Sequence, residues 1–405
     1  MAGHDLSRRE LLEVGGGAVA ASVAVASSAL AQTGARAQAV GQRLPNGLEL
    51  PANGQPRKRP DSVGFAIVGL GGYALRQMMP RFAETDRAHI AAIVSGNPEK
   101  LRRVGDAYRV PADARYSYAE FDRIASDNRV QAVYIVLPSG LHADWTVRAF
   151  AAGKHVLCEK PMALSSAQCQ RMIAAGRRAN RKLMIAYRSH FEPHNMEAMK
   201  LMAQNAVGQL RLIRTEQSYR MGPTSPSENW RVNRALAGGG PLEDLGIYGL
   251  QAALYLSGQM PESISAAAFR PSGDPRFSQI FAHVSSQWRF PSGAVAQLAT
   301  SYDSSGTNFA HVRGTTGALI MDPATSYSGQ KLSLEGPNGR DLKPGNPALQ
   351  FVRQIDHFVD AIRTGTPIRT PGEMGLRDLR LIEAIYASAQ SGRTVRLNPD
   401  GTMRS

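Results

Sequence analysis

The chain has 405 residues, enough for two domains rather than one. A hydrophobic content of 43% with 20% charged residues excludes a disordered or fibrous chain and fits a folded globular protein. The formal net charge is +14, but the basic residues are scattered and not interleaved with aromatics, which argues against a nucleic-acid groove and suits anionic ligands such as a cofactor phosphate.

Residues 1–31 read as an export signal. Arg8-Arg9 precedes an uncharged segment, 14–31, rich in Ala, Gly and Ser, which closes on Ala29-Leu30-Ala31. Twin arginines before a weakly hydrophobic run and an A-x-A site resemble a bacterial Tat signal, which would place the mature protein in the periplasm. The run is too rich in small residues to make a convincing membrane span. The Tat route carries folded proteins, so a cofactor can be bound before export. Residues 32–62 carry Pro45, Pro51, Pro56 and Pro60 and no apolar period. They read as a flexible linker or as an arm lying across another surface.

From Val63 strands and helices alternate. Apolar strands are expected over 63–69, 89–95, 132–137, 154–158 and 183–187, and helices over 75–83, 99–108, 118–126, 143–152 and 166–179. This pattern is α/β and predicts a doubly wound parallel sheet over 63–187, with ligands at the carboxyl ends of the strands. The first strand runs into Gly69-Leu70-Gly71-Gly72-Tyr73-Ala74, a G-x-G-x-x-A turn. Gly69 would make the tight turn, Gly71 would let a pyrophosphate approach the backbone, and Ala74 would let helix and strand pack closely. The second strand ends Ser95-Gly96-Asn97-Pro98-Glu99-Lys100. A hydroxyl and cations at that place suit the 2′-phosphate of NADP, where NAD would call for an acid. The same cations also fit a solvated helix face.

The strand at 132–137 ends Leu137-Pro138-Ser139-Gly140-Leu141-His142, with small residues that leave room for a ligand and a histidine able to donate to it. The next ends Cys158-Glu159-Lys160-Pro161-Met162. Lys160 there would point into the crevice, hold a substrate hydroxyl and act on the pKa of a neighbouring acid or base. Cys158 and Cys169 make neither a disulfide framework nor a zinc site and read as buried apolar residues. His190 and His194 have metal-like spacing, but Pro193 breaks their common face, so no metal is expected.

After 187 the alternation fades, and 188–405 reads as a substrate and oligomerisation domain of α+β type. Strands over 210–219, 264–269, 280–290, 294–302, 309–314 and 318–322 predict a largely antiparallel open sheet. Between the first two, Gly238-Gly239-Gly240 leads into a helix over 242–256. Asp244 and Tyr248 are four apart and would share one face of it, where an acid and a phenol can move protons. Two amphipathic helices, 350–364 and 376–391, would pack at the end.

Taken together, the glycine turn, the Ser95–Lys100 stretch, Glu159-Lys160-Pro161-Met162 and Gly238-Gly239-Gly240 through Gly246-Ile247-Tyr248-Gly249 resemble the glucose–fructose oxidoreductase family, within the wider Gfo/Idh/MocA oxidoreductases. The resemblance runs from about Gly64 to Val395. It implies a Rossmann domain, tightly held NADP, and ping-pong hydride transfer from a glucose-like aldose, leaving a lactone, to a fructose-like second sugar, leaving a polyol. It implies Tyr248 as general acid/base, Lys160 as the residue that tunes it and orients the sugar, and Asp244 on the substrate. Cofactor contacts would be Gly69, Leu70, Gly71, Gly72, Tyr73, Ala74, Ser95, Gly96, Lys100, Tyr118, Leu137, Pro138, Ser139, His142, Glu159, Lys160, Arg188, Trp230, Arg231, Tyr248 and Tyr327. The arm would close over the adenine end, and second-domain sheets would meet in a homo-oligomer, a dimer or tetramer. An aldose dehydrogenase using exchangeable NADP and a non-catalytic NADP or sugar sensor are the alternatives. The sequence departs from the family at Gly72, where a lysine is expected, at Asn233, where an arginine is expected, and over Gly222-Pro223-Thr224-Ser225-Pro226. The last two would border the sugar and put the second sugar in doubt.

Ser95→Asp is expected to weaken NADP relative to NAD, because a carboxylate repels a 2′-phosphate. Titration of both nucleotides checks it, and an unchanged preference would count against that pocket.

Overall fold

The structure, a computed structural model, describes residues 59–404. The expected leader and most of the arm lie outside the described residues. The first sheet has six parallel strands: β1 (Val63–Val68), β2 (Ala88–Val94), β3 (Arg115–Tyr116), β4 (Ala132–Ile135), β5 (His155–Cys158) and β6 (Leu183–Ile185). Their spatial order is β3-β2-β1-β4-β5-β6, the doubly wound dinucleotide-binding order. All six residues of β1 are buried, the signature of a parallel strand covered on both faces. The two-residue β3 is too short to leave an apolar run, and the sequence does not announce it.

The connections are helical, with two departures from regular helix. Residues 75–83, expected as one helix, form a π turn at Ala74–Met78 and a 3-10 turn at Met79–Ala83. Residues 118–126 tighten into a 3-10 helix at Phe121–Ser126. The helix Pro98–Tyr108 is regular. Asn97 caps it by accepting the Lys100 N–H at 2.9 Å, and Pro98 opens its first turn.

The second sheet has nine strands. They are β7 (Leu210–Ser218), β8 (Ser263–Phe269), β9 (His283–Arg289), β10 (Val295–Ser301), β11 (Thr307–Gly314), β12 (Ala318–Met321), β13 (Leu332–Glu335), β14 (Arg340–Leu342) and β15 (Val395–Arg396). Their order is β14-β13-β12-β11-β7-β10-β9-β8-β15, and every pairing is antiparallel except β7 with β10. β9 alternates exposed and buried residues throughout, as a sheet with one covered face requires. The short strands β13, β14 and β15 are not foreseen from the sequence.

The helices Leu349–Thr364 and Gly372–Ser391 cross the boundary expected at 188. Phe358 of the first meets Phe65 of β1 at 6.2 Å between ring centroids. Thr85 donates to Asp356 at 2.6 Å, and Arg87 pairs with Asp360. The second helix lies between β8 and the helix Ser166–Arg178. Both helices therefore tie the end of the chain back onto the first domain.

Gly69 carries the bend that ends β1, at φ +97°. A Cβ there would sit 2.5 Å from the Val136 carbonyl oxygen. Gly69→Ala is expected to cost about 1–3 kcal/mol or more of stability, from a left-handed backbone plus a clash with main chain. Chemical denaturation of the variant against wild type measures it, and a loss near zero would contradict the geometry.

Candidate active site

The carboxyl end of β5 delivers Lys160 into the crevice between the sheets. Its Nζ donates to the Asp244 main-chain oxygen at 2.5 Å and to Asp244 Oδ1 at 3.3 Å. It also stands 4.8 Å from the centroid of the Tyr248 ring. The two groups that the sequence places 88 positions apart thus share one pocket. Asp244 sits in a π turn, Leu242–Gly246, and Tyr248 in the α-helix that continues it, Ile247–Ser257. One regular helix was expected here. A π turn opens the helix locally, a distortion often found at functional positions, and here it lets the Asp244 main chain and side chain both reach Lys160.

Asp244 is the hub. Its Oδ2 accepts from Arg231 Nε at 3.3 Å and from the Tyr302 hydroxyl at 2.8 Å. Burial opposes its charge, but the Lys160 and Arg231 cations and the Tyr302 hydrogen bond outweigh it and hold the carboxyl well below the usual range. Burial likewise opposes the charge of Lys160, yet Tyr248, Asp244 and Glu159 raise its pKa above that of free lysine. At neutral pH the site therefore holds an ammonium and a carboxylate. Tyr302 was missed from the sequence. It follows β10 as one more alternating apolar position, and nothing local shows that its hydroxyl crosses to Asp244.

Arg188, at the end of the first sheet, is buried at 3% exposure. Its Nε donates to the Tyr248 phenol oxygen at 3.1 Å, and its other donors turn to the chain at 325–326 and to Gln350. Most of its hydrogen-bonding capacity is thus used inside the protein. The Tyr327 ring centroid lies 4.7 Å from its guanidinium carbon, and Tyr73 lies 6.1 Å from Tyr327 between centroids. Trp230 stacks on Arg231 at 4.7 Å.

Two further expectations change. His142 is fully buried, and its ring nitrogens face the Leu137 and Pro161 carbonyls at 2.8 Å each. The neutral ring has one N–H, which either carbonyl can accept, and it is enclosed between the ends of β4 and β5 rather than open to a ligand. Glu159 turns inward and accepts from the Tyr134 hydroxyl at 2.6 Å, and burial pushes its carboxyl up. His190 and His194 also diverge, to Gln251 and Glu192 respectively. Cys158 and Cys169 are free and buried.

The dinucleotide turn is open where it needs to be. A Cβ on Gly71 would meet nothing within 4 Å, so the backbone there is accessible. Ser95 lies at the end of β2 beside Gly96, whose missing Cβ would fall 3.0 Å from the Tyr118 ring. Lys100 forms no ion pair among the described residues, and burial lowers its pKa. Leu137, Pro138 and Ser139 line the end of β4. The first-domain loop touches the second domain here, since a Cβ on Gly140 would sit 2.2 Å from the Ala235 oxygen. An accessible glycine turn, with Ser95 and an uncommitted lysine at the next strand end, fits a dinucleotide that carries an extra phosphate.

A six-stranded dinucleotide-binding sheet with a Lys–Tyr pair at its carboxyl edge, closed by a second open sheet, defines a two-domain nicotinamide-dependent oxidoreductase. Comparison with known proteins agrees. Residues 63–187 match the oxidoreductase family with an NAD-binding Rossmann fold, and residues 195–320 match the GFO/IDH/MocA C-terminal domain. The chain belongs to the Gfo/Idh/MocA oxidoreductase family. It is similar to the crystal structure of the aldose-aldose oxidoreductase from Caulobacter crescentus complexed with glycerol, at 47% identity and a TM-score of 0.80, over 83% of this chain and 100% of that one. An uncharacterized oxidoreductase of Rhizobium meliloti is 30% identical over 82% of this chain and 98% of its own. A D-xylose 1-dehydrogenase (NADP(+)) of Haloferax volcanii is 28% identical over 82% and 99%.

Next to Asp244, Glu243 is buried, accepts from the Gly239 N–H and the Tyr386 hydroxyl at 2.7 Å each, and is pushed up by burial to about 7. A raised carboxyl pKa means that the folded protein keeps a proton the unfolded chain has already released. Stability then falls as pH climbs from about 4.5 to about 7, by at most about 3 kcal/mol from this group. Glu243→Gln should therefore lose less of its Tm than wild type between about pH 5 and about pH 8. Parallel melting curves check it; identical pH slopes would refute it.

Proposed function

We propose that the protein is a periplasmic NADP-dependent sugar oxidoreductase that oxidises an aldose to its lactone and reduces a second sugar in a ping-pong cycle. The observation that carries this is the meeting of the Lys160 ammonium with the Tyr248 phenol and the Asp244 carboxylate at the strand edge where the nucleotide turn opens. Bound NADP would accept hydride from the first sugar and return it to the second. Tyr248 takes the proton of the first sugar's hydroxyl and gives it back to the second sugar's carbonyl oxygen. Lys160 spends two of its donors on Asp244, which leaves one for that same oxygen. Asp244 offsets the ammonium and holds Lys160 and Arg231 in fixed places.

The cofactor would be held by residues 69–74, Ser95, Lys100 and the end of β4. The 47%-identical relative named for two aldoses favours an aldose over a ketose as the second sugar. Support for export is Arg8-Arg9 with the uncharged run behind it. Outside the cytoplasm free nicotinamide nucleotides are scarce, which favours a retained cofactor. No helix of the described residues is long and apolar enough to cross a membrane. A homo-oligomer, dimer or tetramer, would form through the outer face of the second sheet, where Ser265, Ala267, Ser285, Gln287, Gln297 and Ala299 make a broad surface of small and polar side chains. The xylose dehydrogenase relatives, named for NADP, support a second reading, an aldose dehydrogenase with exchangeable cofactor.

One experiment separates the two. The purified protein is denatured, released nucleotide is identified, and glucose is assayed with fructose or with other aldoses and no added cofactor. Stoichiometric NADP and turnover without addition are expected; protein that arrives empty and needs free NADP selects the dehydrogenase. Lys160→Ala should still bind NADP but turn over about 10²–10⁴-fold more slowly. Undiminished turnover would remove Lys160 from the chemistry.

A further inference from the structure

Arg188 occupies a seat that binding alone does not call for. Its guanidinium contacts both the Tyr248 and the Tyr327 rings, 4.6 and 4.7 Å from their centroids. Nη1 donates to the Ser326 oxygen at 3.1 Å and to Gln350 Oε1 at 2.5 Å, and Nη2 donates to the Thr325 oxygen at 2.6 Å. Gln350 is itself fixed, with Nε2 on the Ser326 and Tyr327 carbonyls at 3.3 and 3.2 Å. Three acceptors on one side leave the Nε–H aimed at the Tyr248 oxygen, 3.1 Å away. A guanidinium has donors and no acceptor, so that hydrogen bond runs in one direction only. The phenol oxygen accepts from Arg188, and its own proton has to be given elsewhere.

We propose that Arg188 is the positioning residue for proton transfer at Tyr248. This rests on Tyr248 being the proton carrier of the proposed function. By occupying a lone pair on the inner side, Arg188 turns the O–H toward the sugar, which the reductive half-reaction needs. When the proton is absent, the same Nε–H meets the oxygen that the oxidative half-reaction needs as base. In oxidation the sugar O–H bond breaks, its proton forms the O–H bond of Tyr248, and the carbon-bound hydrogen leaves as hydride to NADP. In reduction each bond change reverses. A lysine at 188 would keep the charge but not the fixed direction, because an ammonium lacks the planar fork that three separate acceptors hold.

The test is a double-mutant cycle on NADP reduction by glucose in a single turnover, with NADP affinity titrated in parallel. Arg188→Met is expected to slow the step roughly 10–10²-fold while NADP affinity stays within about threefold. Tyr248→Phe should be slower still, and the double variant no slower than Tyr248→Phe, because Arg188 acts only through the phenol. Effects that multiply, or NADP affinity that falls in step with the rate, would overturn the proposal and leave Arg188 a scaffold or cofactor residue. Should Arg188→Met fail to fold, Arg188→Lys keeps the buried charge and enters the same cycle with the same expected outcome. A Tyr248→Phe enzyme at full speed would instead remove Tyr248 as the proton carrier, a separate failure seen without any change at 188.

Discussion

The ammonium of Lys160 and the carboxylate of Asp244 meet across the crevice, one from the last turn of a parallel strand, the other from a distorted helix start in the second domain. Their side chains are 12% and 25% exposed, so each carries a real desolvation cost. Mutual attraction, the Asp244 main-chain oxygen, Arg231 and Tyr302 together offset it. Taking away one member of such a buried pair typically costs about 3–5 kcal/mol, because the other charge stays behind unpaired. The pair therefore fixes how the domains face one another as well as what lies between them.

Much of the surrounding structure serves to place these two residues. His142 is packed between the Leu137 and Pro161 carbonyls, beside the loop that presents Lys160. Glu243 holds Gly239 and Tyr386, and the glycine lets that tyrosine come close, since a Cβ at 239 would sit 2.1 Å from its hydroxyl. Tyr386 belongs to a helix that also packs on the first domain, so the turn bearing Asp244 is braced from both sides.

The loops of the second domain around 221–237 are less regular. Arg276 reaches the Met221 carbonyl at 2.6 Å and pairs with Asp274 and Asp303, which pins the loop that leads into Gly222–Pro226. Asn233 uses its side chain to cap the short turn at 234–237, accepting from Ala235 N–H at 3.0 Å. At Asn233, where an arginine was expected, this chain thus has a helix cap.

The sequence by itself determined the alternating first domain and the glycine turn, and it marked Lys160 and Tyr248 as candidates, which the fold brings into one pocket. Those features depend on local rules: strand period, apolar runs, and glycine where a side chain cannot go. Tertiary structure decided what those rules do not reach. Short edge strands such as β3 and β14 exist only because a neighbour pairs with them. The two π turns, Ala74–Met78 and Leu242–Gly246, interrupt stretches whose sequence reads as regular helix. Tyr302 on Asp244, Arg188 on Tyr248, and the inward turns of His142 and Glu159 are partnerships across long stretches of chain. Burial and hydrogen-bond satisfaction choose such partners, and both are properties of the folded whole that no window of sequence contains.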